Sequence, residues 1–152
     1  MIDSPDALKE LLPNVSRETI EKLAEFREII LEEDQNLISK NDKNVIWTRH
    51  FYDSLRLAQF ITSNGNDIID IGSGAGLPGI PISLLFSSKN RVFLCENRSK
   101  RASFLEKCIL KLDLQNTEVI PIKAEKIENK KFDIILARAV SQLKHLLSIS
   151  YK

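Results

Sequence analysis

Residues 67–79 read Asp67-Ile-Ile-Asp70-Ile-Gly72-Ser-Gly74-Ala-Gly76-Leu-Pro-Gly79. The first five have the apolar content of a buried strand, the middle is a glycine-rich turn, and an apolar helical stretch begins near Gly79. Glycines at alternate positions leave little side chain between the backbone and anything resting on the turn. Such a strand–turn–helix corner presents amide N–H groups and a helix N-terminus to a polar ligand. The spacing is G-x-G-x-G. It departs from the strict G-x-G-x-x-G dinucleotide fingerprint, because Leu77 stands where the third glycine would be. Taken alone, the turn also suits a purely structural corner with no ligand.

Downstream, Ile80, Leu84 and Leu85 continue a helix, with Pro81 in its first turn where a missing N–H matters little. Residues 92–96 read as a second strand. Residues 99–112 read as a helix with Phe104, Leu105, Cys108, Ile109 and Leu112 facing inwards. Strands follow at 119–122, where Pro121 argues for an edge position, and at 132–137, with a last helix at about 141–149. Near-continuous apolar strands alternating with helices predict a parallel, three-layer α/β sheet.

Upstream the periodicity is helical. A short helical piece carries Leu8, Leu11 and Leu12. Ser16 can cap the next helix, with Glu18 in its first turn, and Ile20, Leu23, Phe26 and Ile30 form its apolar face. Glu28, Glu32, Glu33 and Asp34 make its other face acidic and solvated. A polar linker, 36–44, leads through Val45-Ile46-Trp47 to a second amphipathic segment at 49–61, with Leu55 and Ala58 on its apolar side. Arg49, His50 and Asp53 can share a face there, which as local physics describes a charge pair on a helix.

The chain has 152 residues, 43% hydrophobic and 28% charged, the balance of a globular protein with a sizeable core. A net charge of +1 neither demands nor excludes a nucleic-acid partner. Cys95 and Cys108 lie in apolar runs without C-x-x-C spacing, which fits a reducing compartment. Asp3 and Asp6 follow Met1 where a signal peptide would be basic. No apolar run approaches about 18 residues, so the expectation is a cytoplasmic protein without a membrane span.

With Asp70 two residues ahead of it, the glycine turn resembles the cofactor loop of class I S-adenosylmethionine methyltransferases. In such a sheet the ligand lies over the carboxyl ends of the strands, beside the first. The Gly72–Gly76 turn would face the methionine part of the cofactor. Glu96, at the expected interval of roughly 20 residues, would take the ribose hydroxyls. Ala124 and Glu125 would frame the adenine, and Arg138 would end the fourth strand beside the transferred methyl. For RNA contact the candidates are Arg98, Lys100, Arg101, Lys107 and Lys111, a basic stripe that could equally be a solvated helix face.

Several segments then carry a closer resemblance. They are Asn36-Leu37, Arg49-His50-x-x-Asp53-Ser54, Asp70-Ile-Gly-Ser-Gly-Ala-Gly-Leu-Pro-Gly-Ile-Pro81, Arg98-Ser-Lys-Arg-Ala-Ser-Phe-Leu105, Ala124-Glu125 and Ala137-Arg138-Ala139. Together they resemble the RsmG (GidB) family, bacterial 16S rRNA guanine-N7 methyltransferases, from about residue 17 onwards. The resemblance implies S-adenosylmethionine as cofactor, with Gly72, Gly74, Leu77, Glu96, Ala124, Glu125 and Arg138 as its contacts. It places Arg49, His50 and Arg138 near the substrate and implies 16S rRNA or the small ribosomal subunit as partner. Neither a metal nor a general base is implied, since guanine N7 is a free acceptor.

The expected organisation is an N-terminal helical extension, 1–65, before a partial Rossmann-like methyltransferase core, 66–152, in one structural domain. Relative to the family the chain stops early, and the last strands of the sheet are expected to be missing. That shortening allows either an inactive or weakly active truncated remnant that still binds cofactor or RNA, or a second chain covering the fourth strand. A class I methyltransferase with another substrate is the remaining alternative.

Overall fold

The computed structural model describes residues 2–138 and 146–148. Helix α1 (Pro5–Leu11) starts at Ser4, whose Oγ accepts from the Ala7 N–H at 3.1 Å. Helix α2 (Arg17–Glu32) starts in the same way at Ser16, which accepts from the Thr19 N–H at 3.1 Å. Each cap satisfies one of the donors that a helix start leaves open.

The predicted amphipathic helix at 49–61 is replaced by a segment that changes pitch. Wide π-type turns run over Ile46–Phe51, a single α turn follows as α3 (Tyr52–Leu55), and tight 3-10 turns finish it at Arg56–Phe60. Widening brings Ile46, Trp47, His50 and Phe51 to the buried side together. Phe51 stacks on Phe26 of α2 at 5.8 Å and takes the Trp47 ring edge-on at 5.1 Å. The Asp3 carboxylate closes the start of the segment, accepting from the N–H groups of Trp47 and Thr48 at 3.2 and 2.8 Å.

The second half alternates strands and helices in the predicted order: β1 (Asp67–Ile71), α4 (Gly79–Phe86), β2 (Arg91–Cys95), α5 (Ser99–Leu112), β3 (Thr117–Ile120) and β4 (Ile134–Ala137). All pairs are parallel and the sheet order is β3-β2-β1-β4. Strand boundaries shift by one or two residues, with β2 one residue earlier than 92–96 and β3 beginning at Thr117, not 119. The third strand ends at Ile120, not 122, because Pro121 has no N–H to continue the ladder. The fourth begins at Ile134, not 132, since Asp133 turns the corner by exchanging hydrogen bonds with Asp67 at 2.8 and 2.9 Å. Of the helix expected at 141–149, residues 146–148 are helical and the rest lie outside the described residues.

One sheet face buries Ile68, Val92, Leu94 and Leu136 against α2, α4 and α5. The opposite face, Ile69, Ile71, Phe93 and Cys95, is covered by the 121–133 connection through Ala124, Ile127 and Phe132. That division comes from right-handed crossovers: the links through α4 and α5 step outward over one face, and the link from β3 back to β4 returns over the other. Leu8, Val15, Leu23 and Phe26 belong to the same core cluster as Ile68, Leu94 and Leu105, so the helical first part and the sheet share one interior. Among the described residues no helix is long and apolar enough to cross a membrane.

The strand register sets the level of the sheet's carboxyl edge. Ile71 pairs with Cys95 and with Ala137, and Cys95 pairs with Ile120. The residues just beyond, Gly72, Glu96 and Arg138, therefore leave the sheet at one level, on either side of the point where the strand order reverses.

Candidate functional site

The turn after β1 is hung on the end of β2. Gly72 N–H and Ser73 N–H both donate to the Cys95 carbonyl, at 2.8 and 3.1 Å. Gly72 and Gly74 sit at φ 69 and 54, the left-handed region that favours glycine. A Cβ on Gly74 would meet Arg101 Nη1 and Gly72 O at 3.7 Å, an ordinary contact, so the positive φ and not a lack of space favours glycine there. Gly79 is the opposite case. A Cβ there would meet Leu94 Cδ2 and stand 2.7 Å from Asp70 Oδ2. Gly79 thus does for helix–strand packing what the third glycine of a dinucleotide fingerprint does, two positions later.

Glu96 is buried and ties the turn to the next helix. Its Oε2 accepts from Gly74 N–H at 3.1 Å and its Oε1 from Arg98 N–H at 2.8 Å, at the start of α5. Each oxygen keeps acceptor capacity beyond these bonds. Leu77 places its side chain in the core, so its main chain is what it can offer a ligand. Ala124 opens the 3-10 turn Ala124–Lys126 after β3 and packs against the second sheet face, with Glu125 exposed beside it. Burial pushes the Cys95 thiol up to about 11, and the carboxylates of Glu96, Asp70 and Glu125 push it the same way.

Asp70 served in the sequence only as a mark of the loop; its geometry gives it more. It is fully buried, its Oδ2 accepts from Gly79 N–H at 3.0 Å, and its Oδ1 has no partner among the described residues. Burial raises its carboxyl to about 7, opposed by the Gly79 N–H and by Arg138.

Arg138 leaves β4 half-buried and donates from Nη1 to His50 Nδ1 at 3.0 Å. The expected grouping of Arg49 and His50 with Asp53 is corrected. Arg49 Nη1 lies 3.1 Å from Asp42 Oδ1 and His50 Nε2 3.7 Å from Asp42 Oδ2, while Asp53 faces Arg56 at 4.0 Å. The wide turns of 46–51 undo the three- and four-residue spacing that the pairing assumed. Asp42 was missed because a turn separates it from its partners. Its one local signal is Ser39, three residues before, whose Oγ donates to Asp42 Oδ2 at 2.8 Å and accepts from Asp42 N–H at 3.1 Å.

The basic stripe divides. Lys107 and Lys111 reach Glu33 and Glu32 at the end of α2, at 3.5 and 4.0 Å; Glu32 stays on the solvated face expected of it, while Glu33 is partly covered. Arg98, Lys100 and Arg101 remain at the start of α5, beside Gly74 and Glu96. A cleft of about 570 Å³ lies at the other end of the sheet, lined by Ser16, Lys22, Ser83, Arg91 and Asn116 among others. Its hydroxyls and amides bond one another, Ser83 to Asn116 and Thr117.

Known proteins share both fold and sequence. Protein-L-isoaspartate O-methyltransferase superposes with a TM-score of 0.61 at 16% identity, covering 88% of this chain and 47% of that one. A mutant of MtNAS in complex with S-adenosylmethionine gives 0.55 at 19% identity, covering 97% and 62%. At these identities the likeness is one of fold. In sequence, the ribosomal RNA small subunit methyltransferase G of Cereibacter sphaeroides is 34% identical over 142 residues, 90% of this chain and 68% of that protein. That of Roseiflexus castenholzii is 39% identical over 117 residues, 74% and 50%. The chain thus spans about half to two-thirds the length of these curated relatives. The pattern of the GidB family, described as rRNA small subunit methyltransferase G, matches residues 19–152. On that match, and with the glycine turn, Glu96 and Arg138 at one edge of a 3-2-1-4 parallel sheet, the chain belongs to the GidB family.

Proposed function

We propose that this chain binds S-adenosylmethionine over the carboxyl ends of β1 and β2 and takes part in methyl transfer to N7 of a guanine in 16S rRNA of the small ribosomal subunit. The observation that carries the reading is the Glu96 carboxylate, which holds Gly74 N–H at 3.1 Å in the glycine turn at the carboxyl ends of β1 and β2. The residues fit that cofactor. Glu96 retains lone pairs for two hydroxyls, Gly74 brings no side chain to the turn at a left-handed φ, and Asp70 Oδ1 has no partner among the described residues.

When bound, the cofactor supplies a methyl group on a cationic sulfur. The chain's own part is to hold and orient. Gly72, Gly74 and the Leu77 main chain form the floor, Glu96 orients the ribose, and Ala124 and Glu125 frame the base. Arg138, steadied by His50, and Arg49 face the substrate side. Guanine N7 is a free acceptor, so no residue has to remove a proton first. Alignment of the two reactants is the main contribution such a site makes. The free thiols Cys95 and Cys108 suit a reducing cytoplasm, where ribosomal subunits are assembled.

Calorimetric titration with S-adenosylmethionine and S-adenosylhomocysteine, on the chain and on Gly72→Asp, tests the first half. Binding by the chain that the substitution abolishes is expected. A folded chain that binds neither overturns the reading. Labelled-methyl transfer to small ribosomal subunits, against small metabolites as control, then tests the substrate.

A further inference from the structure

Asp42 belongs to none of the segments that mark the cofactor loop, yet it faces two residues gathered at the carboxyl edge of the sheet. Its Oδ1 lies 3.1 Å from Arg49 Nη1 and its Oδ2 3.7 Å from His50 Nε2. On the far side of the imidazole, His50 Nδ1 is 3.0 Å from Arg138 Nη1. A guanidinium carries donors only and does not give up its proton. Nδ1 must therefore be the acceptor, without a hydrogen. The neutral ring then keeps its proton on Nε2, on the side where Asp42 stands. His50 is buried and its Nε2 makes no hydrogen bond among the described residues, which leaves the Asp42 carboxylate as the anion it faces.

Asp42 is itself held. Ser39 Oγ donates to Oδ2 at 2.8 Å and accepts from Asp42 N–H at 3.1 Å. That hydroxyl, with the charges of Arg49 and Arg138, keeps the carboxyl below its usual range, so it is ionised. The array runs from a surface turn, through one ring, to the guanidinium at the end of β4. The other charged groups near the ring, Arg49 and Asp53, lie on its own segment.

We propose that Asp42 is a positioning residue for Arg138: it stabilises the Nε2–H tautomer of His50, which leaves Nδ1 free to accept from the guanidinium and sets Arg138 over the ends of β1 and β4. The proposal rests on the proposed function, in which Arg138 is a contact of cofactor or substrate. It carries a consequence for acid solution. A second proton on His50 would turn Nδ1 into a donor and place two positive charges face to face, releasing Arg138.

The test is nitrogen-15 NMR of the imidazole and guanidinium groups in the whole chain. The chain has two histidines, so His50→Asn assigns the signal. Near neutral pH His50 is expected as the neutral Nε2–H tautomer with the Arg138 guanidinium restrained. Asp42→Ala is expected to leave the chain folded and to free the rotation of that guanidinium. An Nδ1–H tautomer, a charged ring, or an Arg138 signal unchanged in Asp42→Ala overturns the proposal. Asp42→Asn, which keeps the shape and one acceptor oxygen, takes its place if Asp42→Ala does not fold, with a smaller loosening expected. This readout needs no methyl transfer, so a folded chain that transfers none fails the proposed function and leaves the positioning role decided by NMR. Where transfer is measured, Asp42→Ala should lower kcat by about tenfold to a hundredfold, the size of effect seen for carboxylates that orient metal-ligating histidines. KM for the cofactor should stay within about twofold, and the double variant with His50→Ala should lose no more than His50→Ala alone.

Discussion

Arg138 Nη1 and His50 Nδ1 lie 3.0 Å apart although 88 positions separate them in the chain. This contact joins the irregular helical segment before the sheet to the end of its last described strand. Because a guanidinium can only donate, it also fixes which imidazole nitrogen is bare.

The same contact predicts a pH dependence. Burial first, and then the charge of Arg138, hold the His50 imidazole below its ordinary value of 6.5. As pH falls through that value, the unfolded chain takes up the proton before the native chain does, so stability declines towards acid. Between about pH 7.5 and 5.5 the wild-type unfolding free energy from urea melts should drop further than that of His50→Asn, by at most about 1.4 kcal/mol per pH unit.

Asp70 predicts the reverse slope. Its carboxyl is raised by burial from 3.8 to about 7, so the native state holds a proton that the unfolded chain has already lost. Stability from this group is greatest below 3.8, falls as pH rises towards about 7, and is level above it. Asp70→Asn lacks that decline. Relative to wild type it should gain up to about 2.7 kcal/mol between about pH 5 and 8, read from urea melts at both.

Gly79→Ala should destabilise the fold by about 1–3 kcal/mol, as overpacking does. The added carbon would meet Leu94 Cδ2 and stand 2.7 Å from Asp70 Oδ2, where neither strand has room to move. Ala is the better helix former by up to about 1 kcal/mol, so a variant as stable as wild type would show that α4 can lift off β1.

We infer from the shared core that 1–65 is an extension folded onto 66–152 rather than a separate unit. Leu23 is fully buried in that core, and Trp47 is the single tryptophan. Leu23→Ala should cost about 2–5 kcal/mol. Trp47 fluorescence and far-ultraviolet dichroism should still report one coincident transition. A fluorescence change that comes first would separate the two parts.

For RNA, Lys100→Ala and Arg101→Ala should each weaken binding to a 16S rRNA fragment across sequences and lower the salt slope by about one. Lys107→Ala and Lys111→Ala should change little, because Glu33 and Glu32 already face those lysines. Stability in all four should move by less than about 1 kcal/mol.

The strands, helices and glycine turn were legible from the chain because their signals are local. Apolar runs of strand length, an apolar helix spacing at 99–112 and serine caps act within a few residues. Gly72, Gly74 and Glu96 could be placed together as soon as the strands were read as parallel, since such sheets present their carboxyl ends on one side. Three things depended on tertiary structure. The pitch of 46–60 goes with the packing of Phe51 between Phe26 and Trp47, which no local spacing encodes. The division of the basic stripe comes from α5 lying along α2. The partnership of Asp42 with Arg49 and His50, and of His50 with Arg138, requires a surface turn, a buried ring and a strand end to meet at one point. Sequence determined the elements and the floor of the site, because backbone preference and burial pattern are short-range. Only the assembled fold decided which charges oppose one another, because that depends on distances between segments far apart in the chain.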